Sequence, residues 1–292
     1  MDTAAASSDV SSGASSSASV PTPVTGGLVL PALSLWQREM VRFFRQRNRV
    51  ISAVATPLVF WLVLGLGLNK YFMAGAVEGA GGASSVGYLE YFFPGTIILM
   101  VLFTAIFSTI SVIEDRREGF MQGVLVAPIS RLAIVMGKVL GGASIATIQG
   151  TLLLLLWPLI GSMPSVGGFL LAILALFITA IGLTALGLCI AWPMDSTAAF
   201  HAIMNLFLMP MWLLSGALFP VSKVPTAMQW LMLVNPLTYG HTALCEALMG
   251  DRSPAGLPLG LWNALIVAAL SSALLVIFAM WIVSRPRKDG GL

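Results

Sequence analysis

Charge is scarce in this sequence. Its 292 residues carry 15 basic and 12 acidic side chains, so 9% of the chain is charged while 58% is hydrophobic. A soluble domain carries about 25% charged residues. So few charges cannot cover a fold of this size, which excludes a water-soluble enzyme and a disordered chain and points to a protein dissolved in lipid. Cysteine is nearly absent. Cys189 and Cys245 both stand in apolar context and read as small buried hydrophobes, not as a disulfide framework. Histidine is as rare. His201 and His241 lie far apart, with no HExxH and no CxxC, so no metal centre is expected. A phosphate-binding loop is missing too. Gly137-Lys138 is followed by Val139, with no second glycine at the required spacing. Ser215-Gly216 has no histidine or aspartate pattern around it that would suggest an intramembrane protease. The chain is expected to hold no catalytic residue, no cofactor and no metal, and to bind no nucleic acid.

What the chain has in abundance is long apolar runs. About 20 apolar residues cross a ~30 Å hydrocarbon core. Six runs meet that length and contain no Lys, Arg, Asp or Glu: Val50–Leu68, Tyr91–Ile113, Val139–Ile160, Phe169–Trp192, Ala199–Phe219 and Leu261–Val283. A seventh, Thr226–Leu248, is broken at Asn235-Pro236, where proline removes a donor and disfavours helix in the residue before it. It reads as two short helices dipping into the membrane. The expectation is an all-α membrane protein with six transmembrane helices, an N-terminal amphipathic interfacial helix and a re-entrant helical hairpin before the last span. Four segments follow: a disordered Ser/Ala-rich tail at 1–27, the interfacial helix at 28–49, the transmembrane domain at 50–285 and a tail at 286–292.

The few charges are placed unevenly. Arg38, Arg42, Arg45, Arg47 and Arg49 precede the first run. Arg116, Arg117, Arg131 and Lys138 lie between the second and third, and Arg285, Arg287 and Lys288 follow the last. With six spans, all of these fall on one side, which the positive-inside rule makes cytoplasmic. Both termini are then expected inside, in the plasma (inner) membrane of a bacterium. Within Leu33–Asn48, the residues Leu33, Trp36, Met40, Phe43 and Phe44 share about 100° of arc, with Arg38, Arg42 and Arg45 opposite. Such a helix lies in the interface, its arginines toward lipid headgroups or a partner. It serves as a plain anchor or as part of a mechanism, and the residues do not separate the two.

The spans lack the buried charges of ion-coupled pumps, which suggests that a partner supplies the energy. An intramembrane lipid-modifying enzyme and an ion-coupled secondary transporter are the alternatives. The one dense polar island is Glu114-Asp115-Arg116-Arg117-Glu118-Gly119-Phe120, followed by an apolar piece that Pro128 stops. Its apolar side (Phe120, Val124, Leu125) suits a groove in a soluble partner. Read from composition alone it is a solvated loop.

The segment from Glu118-Gly119-Phe120 through Val124-Leu125-Val126-Ala127-Pro128-Ile129-Ser130-Arg131 to Gly137-Lys138-Val139-Leu140 resembles the ABC-2 family of transporter permeases. So does the later run Leu214-Ser215-Gly216-Ala217-Leu218-Phe219-Pro220, with Val224-Pro225 and Leu233-Val234-Asn235-Pro236-Leu237-Thr238-Tyr239. The order fits the drug-resistance and nodulation-type branch, over about residues 30–285. Cys245-Glu246 departs from the branch, where an arginine is common. The resemblance implies an exporter subunit that pairs with a second copy and with two cytoplasmic ATPase subunits, which carry ATP and Mg. It also implies ATPase coupling through Arg116, Arg117, Glu118, Gly119, Phe120, Leu125, Pro128 and Arg131. The helix bearing Trp36, Arg38, Arg42, Phe43 and Arg45 would lie beside that segment. The broken hairpin at Asn235 and Pro236 would close the outer mouth. Met204, Asn205, Met209, Trp212 and Ser215 could line a path for an amphipathic or lipid-like cargo, such as a drug, a lipid or a lipid-linked saccharide.

Overall fold

The computed structural model describes residues 28–45, 51, 55, 57–67, 88–126, 129–161, 163–221, 224–250, 257 and 259–285. The tails expected at 1–27 and 286–292 lie outside them. Every regular element described is helical. In chain order these are α1 (Val29–Arg45), α2 (Pro57–Gly67), α3 (Tyr88–Ser108), α4 (Ile110–Arg117), α5 (Phe120–Val126), α6 (Arg131–Leu154), α7 (Val166–Ala191), α8 (Thr197–Leu213), α9 (Thr226–Val234), α10 (Pro236–Met249) and α11 (Gly260–Ser284).

The expected six spans are corrected to four. Among the described residues, the helices long and apolar enough to cross a membrane are Tyr88–Arg117, Arg131–Leu159, Val166–Ala191 and Gly260–Ser284. The expected first run at 50–68 lies partly outside the described residues and contributes only the short α2. The expected fifth run yields α8, whose 17 residues reach about 25 Å, short of a ~30 Å core. It stops because Gly216 takes a left-handed φ of 88° just beyond it.

The broken segment is corrected as well. The chain does break at Asn235-Pro236, and α9 and α10 form on either side. No re-entrant hairpin is evident among the described residues. Such a hairpin needs two arms packed side by side. Here α10 is buried against α7 and α11, whereas α9 leaves Trp230, Leu231 and Val234 exposed and touches α10 only sparsely.

The core explains why α3 is central. Tyr91, Phe92, Phe93, Ile97, Ile98 and Val101 are essentially inaccessible, and α6, α7, α8 and α10 all pack on this helix. The spans α3, α7 and α11 are apolar all round, as expected of helices that face either neighbours or lipid. Small residues set the spacing. A Cβ on Gly137 would sit 2.6 Å from Leu35 Cβ, and one on Gly141 would sit 2.9 Å from Glu39 Cβ. This glycine pair therefore seats α1 on α6 of the same chain, a small-xxx-small contact within the subunit.

Candidate coupling site

One end of the bundle gathers α1, the end of α4, α5, the start of α6 and the ends of α7 and α11. The chain's charges meet there. Asp115, fully buried near the end of α4, is the hub. Arg38 binds it through both guanidinium nitrogens, at 2.6 and 2.8 Å, a bidentate geometry among the strongest available to a charged pair. Arg42 reaches the same carboxylate at 3.0 Å and Glu114 at 2.6 Å. From the opposite side, buried Lys138 donates to Asp115, to Glu39 and, at 3.1 Å, to Ser111. Its three ammonium protons have three acceptors. Glu114, Asp115 and Glu39 balance Arg38, Arg42 and Lys138. A lone buried charge would cost several kcal/mol, and only full pairing makes such a cluster tolerable. The hydrogen bond and charge of Asp115 push the Arg38 pKa above its ordinary value.

The knot joins elements far apart in sequence. Arg38 also stacks on Phe120, its guanidinium carbon 3.8 Å from the ring centroid, which ties α1 to α5. Trp36 donates to Ser144 on α6 at 3.1 Å. Arg116 donates to the Trp192 and Met194 carbonyls beyond α7 at 2.8 and 3.0 Å, and Arg117 to the Asp195 carbonyl at 3.0 Å. Arg131 donates to the Val283 carbonyl at the end of α11 at 3.2 Å. Between α4 and α5, Gly119 takes a φ of 78°, a conformation in which a side chain is strained. Ser130 caps α6 by accepting from the Ala133 amide at 3.1 Å.

The expected coupling residues therefore gather at one end, with differences in detail. Phe120 lies under Arg38, so α5 turns Gln122, Gly123 and Val126 outward. Pro128 and the Leu125 side chain lie outside the described residues. On α1 the inward stripe is Leu35, Glu39 and Phe43, while Leu33 and Phe44 of the expected apolar arc stay exposed. Arg45 and Glu118 border an open cleft with Ser34, Gln37, Arg38, Val41 and Arg42. Sequence reasoning missed Glu39, Asp115 and Lys138 as partners. It ended one span at Ile113 and began the next at Val139 because runs were cut at the first charge. The available signal was a glutamate on the stripe between Leu35 and Phe43, an inward position that only a buried cation would satisfy.

The residues expected to line a path are divided. Met204, Trp212 and Ser215 are buried in the core, whereas Asn205 and Met209 face outward from α8. Trp212 donates to the Gly95 carbonyl at 2.8 Å, and Tyr91 donates to the Gly216 carbonyl at 2.7 Å. Asn235 donates to the Met211 carbonyl at 2.6 Å and accepts from the Leu237 amide, capping α10. Thr238 donates its one hydroxyl proton to the Met232 carbonyl at 2.7 Å, with the Leu214 carbonyl 3.1 Å from the same oxygen. The Leu214–Pro220 and Leu233–Tyr239 runs thus satisfy backbone groups that helix breaks leave open in an apolar setting.

A family model described as ABC-2 type transporter matches residues 32–249, from α1 to α10, and stops short of α11. Nodulation protein J of Sinorhizobium fredii is 27% identical over 252 residues, which cover 83% of this chain and 91% of that protein. The daunorubicin resistance ABC transporter permease protein DrrB1 of Streptomyces coeruleorubidus is 24% identical over 252 residues, 84% of this chain and 81% of that one.

Proposed function

The chain belongs to the ABC-2 type transporter family, and from that premise we propose that it is the membrane-spanning subunit of an exporter driven by separate ATPase subunits. It is a multi-pass membrane permease. In this reading the charged end faces the cytoplasm, both termini lie there, and two ATPase copies bind against α5 and the cleft beside α1. A second permease copy completes the transporter. ATP and Mg act on the ATPases, and the cargo is amphipathic or lipid-like, in keeping with relatives named for drug resistance and nodulation.

The observation that carries this reading is the hub at Asp115. It locks α1, α4 and α6 together through opposite charges, with Phe120 of α5 held beneath Arg38. A push on α5 therefore moves the ends of two long spans as one rigid body. Ion coupling fits less well. Among the described residues the fully buried ions Glu39, Asp115 and Lys138 are paired with one another and sit at one end of the bundle, whereas a relay would need charges along its depth. The test is transport into inverted vesicles containing the chain and its ATPase. Glu118→Ala and Gly119→Pro are expected to abolish ATP-driven transport while membrane insertion persists. Normal transport by both variants would overturn the coupling assignment.

A further inference from the structure

Two arginines are tied to the end of α11. Arg38, Arg42 and Arg116 each pair with a carboxylate of this chain. Arg131 and Arg285, like Arg45 and Arg117, pair with none among the described residues, but these two are the ones tied to α11. Their partners are neutral. Arg131 donates to the Val283 carbonyl at 3.2 Å, and Arg285 lies 3.3 Å above the Trp281 ring, which stacks on Phe278 at 5.6 Å. The bond to Val283 brings Arg131 within two residues of Arg285. A carbonyl and an aromatic face orient a guanidinium but leave its full charge uncompensated. Two oriented cations at the same end of α11, with no carboxylate partner among the described residues, ask for an external anion.

The helix beneath them indicates what carries that anion. The outward face of α11 is an unbroken apolar strip through Leu270, Leu274, Ile277 and Phe278, with Trp262 near one end and Trp281 near the other. The two tryptophans are about 28 Å apart along the helix at 1.5 Å per residue. This matches a ~30 Å hydrocarbon core with an aromatic residue at each boundary. Arg285 lies about one helical turn beyond Trp281, at headgroup depth. We propose that Arg131, Arg285 and Trp281 form a binding site for the phosphodiester of an anionic phospholipid, whose acyl chains lie along the α11 strip. A second positive charge favours phosphatidylglycerol or cardiolipin over a zwitterionic lipid, whose own cation it repels.

The site requires only that this face meets lipid, so it can fail or hold independently of ATPase coupling. The full chain is purified from membranes and transferred to mixed vesicles of phosphatidylglycerol and phosphatidylcholine, and bound lipid is read by native mass spectrometry. Wild type is expected to retain phosphatidylglycerol preferentially. Arg285→Gln and Arg131→Gln should each reduce that preference on the order of fivefold, as expected for one arginine at an anionic surface. Arg285→Lys should keep most of it, and Trp262→Leu at the other end should leave it unchanged. Added inorganic phosphate should not displace the lipid; displacement would assign the site to free phosphate instead. A photoreactive phosphatidylglycerol analogue on wild type gives a second readout that does not depend on any variant folding. It should label the Trp281 end of α11. Equal retention of the two lipids, or labelling spread evenly over all spans, overturns the proposal.

Discussion

The two ends of the bundle solve the same problem with different chemistry. At the end bearing α1 and α5, buried polar groups are ions paired with ions: Asp115 with Arg38, Arg42 and Lys138, and Glu39 with Lys138. Around the breaks after α8 and before α10, neutral side chains meet the backbone: Tyr91, Trp212, Asn235 and Thr238 donate to carbonyls. The difference follows from what each end must hold. Irregular backbone in an apolar setting needs a single donor per carbonyl, which a neutral side chain supplies at a modest desolvation cost. Joining separate helices into one moving body needs a multivalent hub, and a carboxylate with several acceptor sites serves that purpose.

The comparison predicts a ranking of effects. Asp115→Ala should be the most damaging, because it removes the one carboxylate that Lys138 and two arginines share, leaving three buried or half-buried cations to Glu39 and Glu114. Breaking a buried ion pair costs about 3–5 kcal/mol. Thermal unfolding in detergent should fall accordingly, and hydrogen exchange across α1 should rise. If Asp115→Ala unfolds like wild type, the ionic end is not a structural hub. Next, Gly141→Val should push α1 off α6, at a cost of about 1–3 kcal/mol for overpacking. Cross-linking between cysteines placed on α1 and α6 should drop while α10 exchange stays protected.

At the neutral end, Asn235→Ala removes a cap and a bond to the Met211 carbonyl. We expect a loss of about 1–2 kcal/mol, with exchange rising in α10 and unchanged in α1. Coupled unfolding of both ends in this variant would erase the distinction between them. The smallest effect should come from Glu114→Gln. It removes a partly exposed pair with Arg42 while Asp115 keeps the arginine bound, so the change should be below about 1 kcal/mol.

Much of the fold is legible in the sequence. The run from Phe169 to Trp192 maps onto α7, and that from Leu261 to Val283 maps onto α11. Asn235-Pro236 breaks the chain where a missing donor demands it. The site is legible only in outline. Glu114–Phe120 is visible as a polar island, and Arg38 and Arg42 as one helix face. The lengths of two spans were hidden by the rule that a charge ends an apolar run. Asp115 and Lys138 violate that rule at a tolerable cost, because each carries the other's counter-charge.

By itself, the sequence determined that this protein lives in lipid, that it is helical, and that one apolar stretch breaks at Asn235-Pro236. These follow from local quantities: apolar length, a missing amide hydrogen, the scarcity of charge. Only the tertiary structure decided which charges are buried and which are free. The cost of burying an ion is set by a partner brought within about 3 Å by a neighbouring helix, and no spacing along one chain segment encodes that distance.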